Sequence, residues 1–206
     1  MRHSLIDQLL IRADEALRTL SGAGSPARES PARGQPEGGE REPSAGLMRV
    51  NHTGEICAQA LYSGQSLFAR DPRVRAALQS AAAEERDHLA WCRGRLAELG
   101  ARPSVLDPLW YAGSFALGVA SGLAGDRWSM GFLAETEEQV ERHLEGHLER
   151  LPANDYRSRA VVMQMRDDER RHGATGWQLG ANELPPAVKA AMRIASKVMT
   201  RTAYYV

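Results

Sequence analysis

The sequence predicts an all-α protein, a bundle of helices, on three observations. Ala, Leu, Arg and Glu dominate its 206 residues and aromatic residues make up only 6%, a composition that favours helix over strand. No segment sustains the apolar–polar alternation of a half-buried strand. Apolar residues recur at helical spacing in stretches separated by Pro, Gly and Asp, which are turn and cap signals.

Each element follows from that punctuation. Residues 4–20 place Leu5, Leu9, Leu10, Leu17 and Leu20 near one face of an amphipathic helix. From Ser21 to Gly46, 14 of 26 positions are Gly, Pro or Ser, with no Val, Ile, Leu, Met or aromatic residue. Such a stretch buries too little apolar surface to offset its ordering entropy, so it predicts a flexible linker that tethers residues 1–20 to a body at 47–206. Within the body, Asp71-Pro72 divides a helix over 47–69 from one over 73–99, and Gly100 to Pro103 ends the second. Residues 108–125 carry no charge. Asp126 to Leu151 is a charged helix, closed by Pro152. Asn154 is the expected N-cap of the next helix, which runs to Leu179, and Pro185-Pro186 opens the last. The order predicts an up-and-down bundle.

Charge and cysteine content narrow the function. Lys and Arg number 26 against 26 Asp and Glu, so the chain lacks the basic footprint of a nucleic-acid binder. Cys57 and Cys92 are too few for a disulfide framework, which suits a reducing compartment. Asp7, Arg12, Asp14 and Glu15 interrupt the first apolar run, unlike a signal peptide. No G-x-G-x-x-G string marks a dinucleotide fold.

Two short strings carry the chemistry. Glu85-Arg-Asp-His88 and Glu169-Arg-Arg-His172 each place a carboxylate and an imidazole three residues apart, on one helical face. Glu55 lies 30 residues before Glu85, and Glu137 lies 32 before Glu169. The chain thus reads helix-Glu, helix-E-x-x-H twice. This is the ligand pattern of ferritin-like bundles with two metal ions in their core. On the helix before the second motif, Glu135, Glu137, Glu138 and Glu141 all compete by spacing alone. Most neighbouring acids, including Glu84, Asp167 and Asp168, are expected on the solvated surface, and Arg86, Arg170 and Arg171 point away from the motif face. Four carboxylates and two imidazoles form a hard-to-intermediate site, with no thiolate to favour zinc or copper(I). Four negative charges also match two divalent ions. Glu85 and Glu169 are expected to bridge the ions, with Glu55 and Glu137 terminal. The alternative is a salt-bridged structural network. His143, two turns beyond Glu137, is either a surface histidine or one that meets substrate or reductant. His147 is expected at the surface, and His52 near the ligands.

The sequence resembles the demethoxyubiquinone hydroxylases of ubiquinone biosynthesis. The resemblance rests on MRVNHTGE (48–55), ALYSGQ (60–65), RPSVLDPLWYAGSFALG (102–118), TEEQVERHL (136–144) and the two E-x-x-H motifs. It covers 47–206 and leaves 21–46 outside. It implies a ferritin-like di-iron fold with additional membrane-facing and terminal helices. It also implies iron ligands at Glu55, Glu85, His88, Glu137, Glu169 and His172, which selects Glu137 among its neighbours. His143 falls on a histidine that handles reductant or quinone; the tyrosine that can follow it is Leu144 here. The implied reaction is ring hydroxylation of a polyprenyl demethoxyquinol by O2, with two Fe ions and with the quinol itself or NADH as reductant. A ferroxidase or a quinol oxidase would use the same ligand set.

A polyprenyl substrate implies a membrane. As a helix, residues 108–125 would extend roughly 27 Å, borderline for a bilayer core. Gly118-x-x-x-Gly122 allows close packing, and the segment reads as a span, a buried core helix or a helix dipping into one leaflet. The last is expected, since a span would pull apart the helices that complete the site. Lys189, Arg193, Lys197 and Arg201 form a basic stripe on the last helix beside Val188, Met192, Ala195 and Met199. These features predict peripheral contact on the cytoplasmic side of the cell membrane, with other ubiquinone-biosynthesis proteins as candidate partners.

Overall fold

A computed structural model describes residues 5–23, 26–34 and 41–206. Local signals set most helix starts. Asp71 accepts a hydrogen bond from Arg73 N at 2.8 Å and Pro72 occupies the first turn, opening α3. Asp155, rather than the expected Asn154, caps α6 by accepting from Ser158 N at 2.9 Å. The helices are α1 (Leu5–Ser21), α2 (Arg41–Phe68), α3 (Pro72–Glu98), α4 (Asp107–Leu123), α5 (Asp126–Arg150), α6 (Tyr156–Gln178) and α7 (Pro186–Tyr205). No strand occurs among the described residues.

From α2 onward every helix reverses the direction of the one before. Gln59 and His88 meet α3 and α2 in antiparallel register, through Ala82 O and Glu55. On α4, Asp107 faces Thr53 and Gly118 faces Leu61, so α4 runs parallel to α2. The start of α5 bonds to the end of α2, where Asp126 accepts from the Arg70 and Asp71 amides. Four helices, α2, α3, α5 and α6, carry the predicted ligands, while α4 lies outside them against α2. That contact requires glycine. A Cβ on Gly118 would stand 2.2 Å from Leu61 O, and one on Gly64 would stand 2.6 Å from Phe115 O.

The core is layered along the bundle axis. One apolar layer holds Leu47, Met48, Trp91, Leu96, Val161 and Met165. A second holds Leu61, Tyr62, Val74, Leu78, Met130 and Leu133. Between them, on α3 and α6, sit the two E-x-x-H motifs. Each apolar layer holds one side of a polar centre that would be costly to bury alone.

Several expectations are corrected. The body begins at Arg41, six residues before Leu47. The described part of 21–46 is docked rather than trailing: Ala27 N donates to Asp87 at 2.6 Å and Trp91 Nε1 donates to Arg28 O at 3.2 Å. Its composition predicts coil, but a coil with fixed hydrogen-bond partners need not be a tether. The helix α1 is likewise packed, with Ala16 and Leu20 against Ile56, Ala60, Leu89 and Tyr111. Leu10 and Leu17 of its apolar set stay exposed. Lys189 leaves the basic stripe to pair with buried Glu135 at 3.1 Å, joining α7 to α5.

No helix among the described residues is long and apolar enough to cross a membrane. The outward face of α4 is nevertheless uncharged, with Leu109, Leu117 and Leu123 exposed.

Candidate metal centre

The bundle brings all six predicted ligands together. Glu55 comes from α2, Glu85 and His88 from α3, Glu137 from α5, and Glu169 and His172 from α6. All six are buried. Their ligand atoms fall into two groups, Glu55–Glu85–His88–Glu169 and Glu85–Glu137–Glu169–His172, each within 4.8 Å. Glu85 and Glu169 belong to both groups, the positions expected of bridging carboxylates. The i, i+3 spacing on α3 and α6 accounts for this: each motif Glu sits beside its own His and still reaches across to the other helix. His88 Nδ1 lies 2.9 Å from Glu85 and 3.3 Å from Glu169. His172 Nδ1 lies 3.2 Å from both Glu85 and Glu169.

The outward nitrogens meet a second pair of acids. His88 Nε2 is 2.9 Å from Asp168, and His172 Nε2 is 3.6 Å from Glu84. Each acid immediately precedes the Glu of the opposite motif, so the pattern is an approximate twofold. Asp87, Asp168 and Glu135 are buried, not on the solvated surface as expected. Arg171 also differs from expectation, since it bridges Asp168 at 2.7 Å and Glu84 at 3.2 Å. The signal for Glu84 and Asp168 was present in the sequence as an acid before each E-x-x-H.

Electrostatics match a site built for cations. Burial drives the Glu55 and Glu137 carboxyls well above the usual range, and Glu85 and Glu169 beside them add repulsion. Burial would also raise Glu85, but His88 and His172 outweigh it and hold it well below. His88 is raised well above its ordinary value in spite of burial, by Glu85, Asp168, Glu169 and Glu55. His172 is pushed up to about 12, Glu169 and Glu85 outweighing its burial. The crowded acids thus favour positive charge at the centre, from protons or from cations. Glu85 Oε1, Glu137 Oε1 and His172 Nε2 are buried without a hydrogen-bond partner. The two orphaned carboxylate oxygens, within the Glu85–Glu137–Glu169–His172 group, fit metal ions better than the salt-bridged alternative, which would satisfy them.

His143 is not among the clustered ligands. It is half-buried on α5, with its ring centroid 3.9 Å from that of His147. Burial lowers His143 to about 4 and His147 to about 2, with Arg150 adding to both. His147 is therefore buried, against expectation. His52 is also buried, and faces Asp107 at 3.2 Å instead of the ligands. Cys57 is held protonated, burial pushing it up to about 12, and both thiols are free.

Two openings surround the bundle. A cavity of about 1010 Å³ lies between α1 and the α2–α3–α4 face, lined by Arg12, Glu15, Gln59, Tyr62, Leu89 and Tyr111. A cleft of about 430 Å³ between α3, α5 and α6 passes Ala77, Ala81, Met130 and Leu133 and ends on Glu84 and His172.

A helical bundle with buried carboxylates and histidines from two E-x-x-H motifs defines a protein of the ferritin-like metal-carboxylate class. The sequence model of the family described as "Ubiquinone biosynthesis protein COQ7" matches residues 42–203, and the chain belongs to that family. Close relatives cover nearly its whole length. It is 55% identical to a "3-demethoxyubiquinol 3-hydroxylase" of Nitrosomonas europaea over 98% of this chain and 99% of that one. Proteins of the same description in Cupriavidus taiwanensis and Chromobacterium violaceum are 57% and 53% identical, across 97% and 98% of this chain and 99% and 100% of theirs.

Proposed function

We propose that this protein is a demethoxyubiquinol hydroxylase, inserting one atom of O2 into the ring of a polyprenyl demethoxyquinol in ubiquinone biosynthesis. The observation that carries the reading is the pair of four-residue groups sharing Glu85 and Glu169. Two iron ions would be held there, His88 and Glu55 serving one, His172 and Glu137 the other, with Glu85 and Glu169 between them. A reduced iron pair supplies the electrons that activate O2, which no side chain of this protein can do.

The protein's own residues hold and shield. Two apolar layers exclude water from the centre on either side along the axis. Glu84 and Asp168 face the outward nitrogens of the two histidines, so the inward nitrogens are free to bind metal. The cleft that ends on His172 is walled by Ala, Met and Leu and has room for an aromatic ring. His143, neutral because burial lowers it to about 4, is the candidate for contact with quinol or reductant, and its buried Nε2 has no hydrogen-bond partner. Either the quinol or NADH is the electron source.

Peripheral contact with the cytoplasmic face of the cell membrane completes the reading. The uncharged outer face of α4 and the exposed Arg193, Lys197 and Arg201 of α7 support it, and the cavity under α1 offers room for part of a prenyl tail. Other proteins of the pathway are candidate partners.

The test is mass spectrometry of iron-loaded protein with a short-tailed demethoxyquinone, a reductant and ¹⁸O₂. One labelled oxygen atom on the ring is expected. Oxygen consumption with an unmodified ring would replace this reading with a ferroxidase or a quinol oxidase.

A further inference from the structure

In the segment before α2, the Arg28 side chain reaches the acids and histidine of the centre. Arg28 lies outside the 42–203 stretch matched by the family, in the stretch whose composition predicts only linker. Its guanidinium bonds Asp87 through Nε and Asp168 through Nη1, both at 2.8 Å. Nη2 lies 3.4 Å from His88 Nε2 and 4.0 Å from Glu84. The same guanidinium covers the Trp91 ring at 4.8 Å. The backbone on either side is pinned as well, by Ala27 N to Asp87 and by Trp91 Nε1 to Arg28 O. Arg28 is therefore anchored by a planar fork with two separate carboxylates, an arrangement lysine cannot reproduce.

Its contacts are unequal between the two halves of the centre. Asp168 receives Arg28 and His88 Nε2 on one oxygen, and Gln164 and Arg171 on the other. Its carboxylate has no freedom left to rotate. At the other half, Glu84 stands 3.6 Å from His172 Nε2, which has no hydrogen bond. One histidine is clamped from outside and its counterpart is not.

We propose that Arg28 is a positioning residue of the metal centre: by locking Asp168 onto the outward nitrogen of His88, it fixes the ring so that Nδ1 faces the ion held with Glu55. This rests on the reading of the site as a di-iron centre. A carboxylate behind a ligating imidazole fixes ring orientation and raises ligand basicity, and disturbing such a partner weakens metal affinity 10–100-fold. The two ions are therefore inequivalent, and Arg28 maintains the difference.

The experiment is an anaerobic Fe(II) titration of the full-length apo-protein, with Mössbauer spectra of the ⁵⁷Fe-loaded product. Wild type should bind two Fe(II) per chain and show two quadrupole doublets. Arg28→Ala should weaken one binding step about tenfold and shift one doublet, leaving the other in place. Arg28→Lys, which keeps the charge without the fork, should fall between. If both doublets and both steps match wild type, or change by equal amounts, the proposal is overturned. A fall in apo-protein melting temperature with unaltered doublets overturns it too, showing a mere fastening. Wild type binding fewer than two Fe(II) would instead remove the di-iron reading beneath it.

Discussion

His143 and His147 face each other one turn apart on α5, ring centroids 3.9 Å apart, and burial favours the neutral imidazole in both. Their folded values of about 4 and about 2 lie below the ordinary 6.5. Below pH 6.5 the unfolded chain therefore binds more protons than the folded one, and stability falls as pH falls. Each histidine should remove about 2 kcal/mol by pH 5. Urea unfolding of apo His147→Gln between pH 7.5 and 5 should show a shallower loss than wild type; parallel curves would contradict the depressed values.

Glu85 and Glu169 should each be indispensable. Glu85→Ala or Glu169→Ala removes a residue common to both ligand groups, so both ions lose a partner. Hydroxylation should fall more than about 100-fold, beyond the usual effect of an outer partner. Iron content per chain, measured with turnover, should fall with it. Full activity in either variant would defeat the ligand assignment.

Metal uptake should release protons. Glu55, Glu137 and His88 are raised well above their ordinary values and His172 to about 12, so these groups favour their protonated forms before metal arrives. Divalent ions favour the deprotonated ligands, so metal binding should release protons. Affinity then strengthens as pH rises. Calorimetry at pH 7 in two buffers of different ionisation enthalpy counts the protons, and a count near zero would show that the groups are not protonated.

The α2–α4 crossing sets a sharp contrast between two glycines of one helix. Gly118→Ala places a Cβ 2.2 Å from Leu61 O and should cost about 3 kcal/mol. At Gly113 nothing lies within 4 Å, so Gly113→Ala should gain up to about 1 kcal/mol from helix propensity. Thermal unfolding of the two variants should shift in opposite directions.

If α7 meets an anionic surface, its exposed cations carry the attraction. Replacing Arg193, Lys197 and Arg201 by Gln should cost roughly 1 kcal/mol each. Sedimentation with phosphatidylserine vesicles should drop more than about 100-fold in affinity, and binding that is unchanged would remove α7 from the membrane reading.

The helices were legible because their ends are written in local chemistry. Asp71-Pro72, Gly100 and Pro186 act within one turn, so each could be read without knowledge of the fold. The Glu and His of the two E-x-x-H strings were legible because i, i+3 pairs are local, whereas Glu137 stood out from its neighbours only through the resemblance. Asp168 and Glu84 escaped, although each stands beside a motif, because which histidine they serve depends on how α3 meets α6. Arg28 left no trace in composition: a linker-like stretch conceals one specific contact. His147 was misplaced for a similar reason. A single histidine on a charged helix shows its burial only when the neighbouring helix is known.

The sharing of Glu85 and Glu169 has a consequence for biosynthesis of the protein itself. Each ligand group draws on α3 and α6, so neither half of the chain holds a complete set. A ribosome-bound chain that has released only α2 and α3 presents three of the four residues of one group, Glu55, Glu85 and His88, without Glu169. If these groups hold metal, the first of them is completed only when α6 has emerged and brought Glu169 to it.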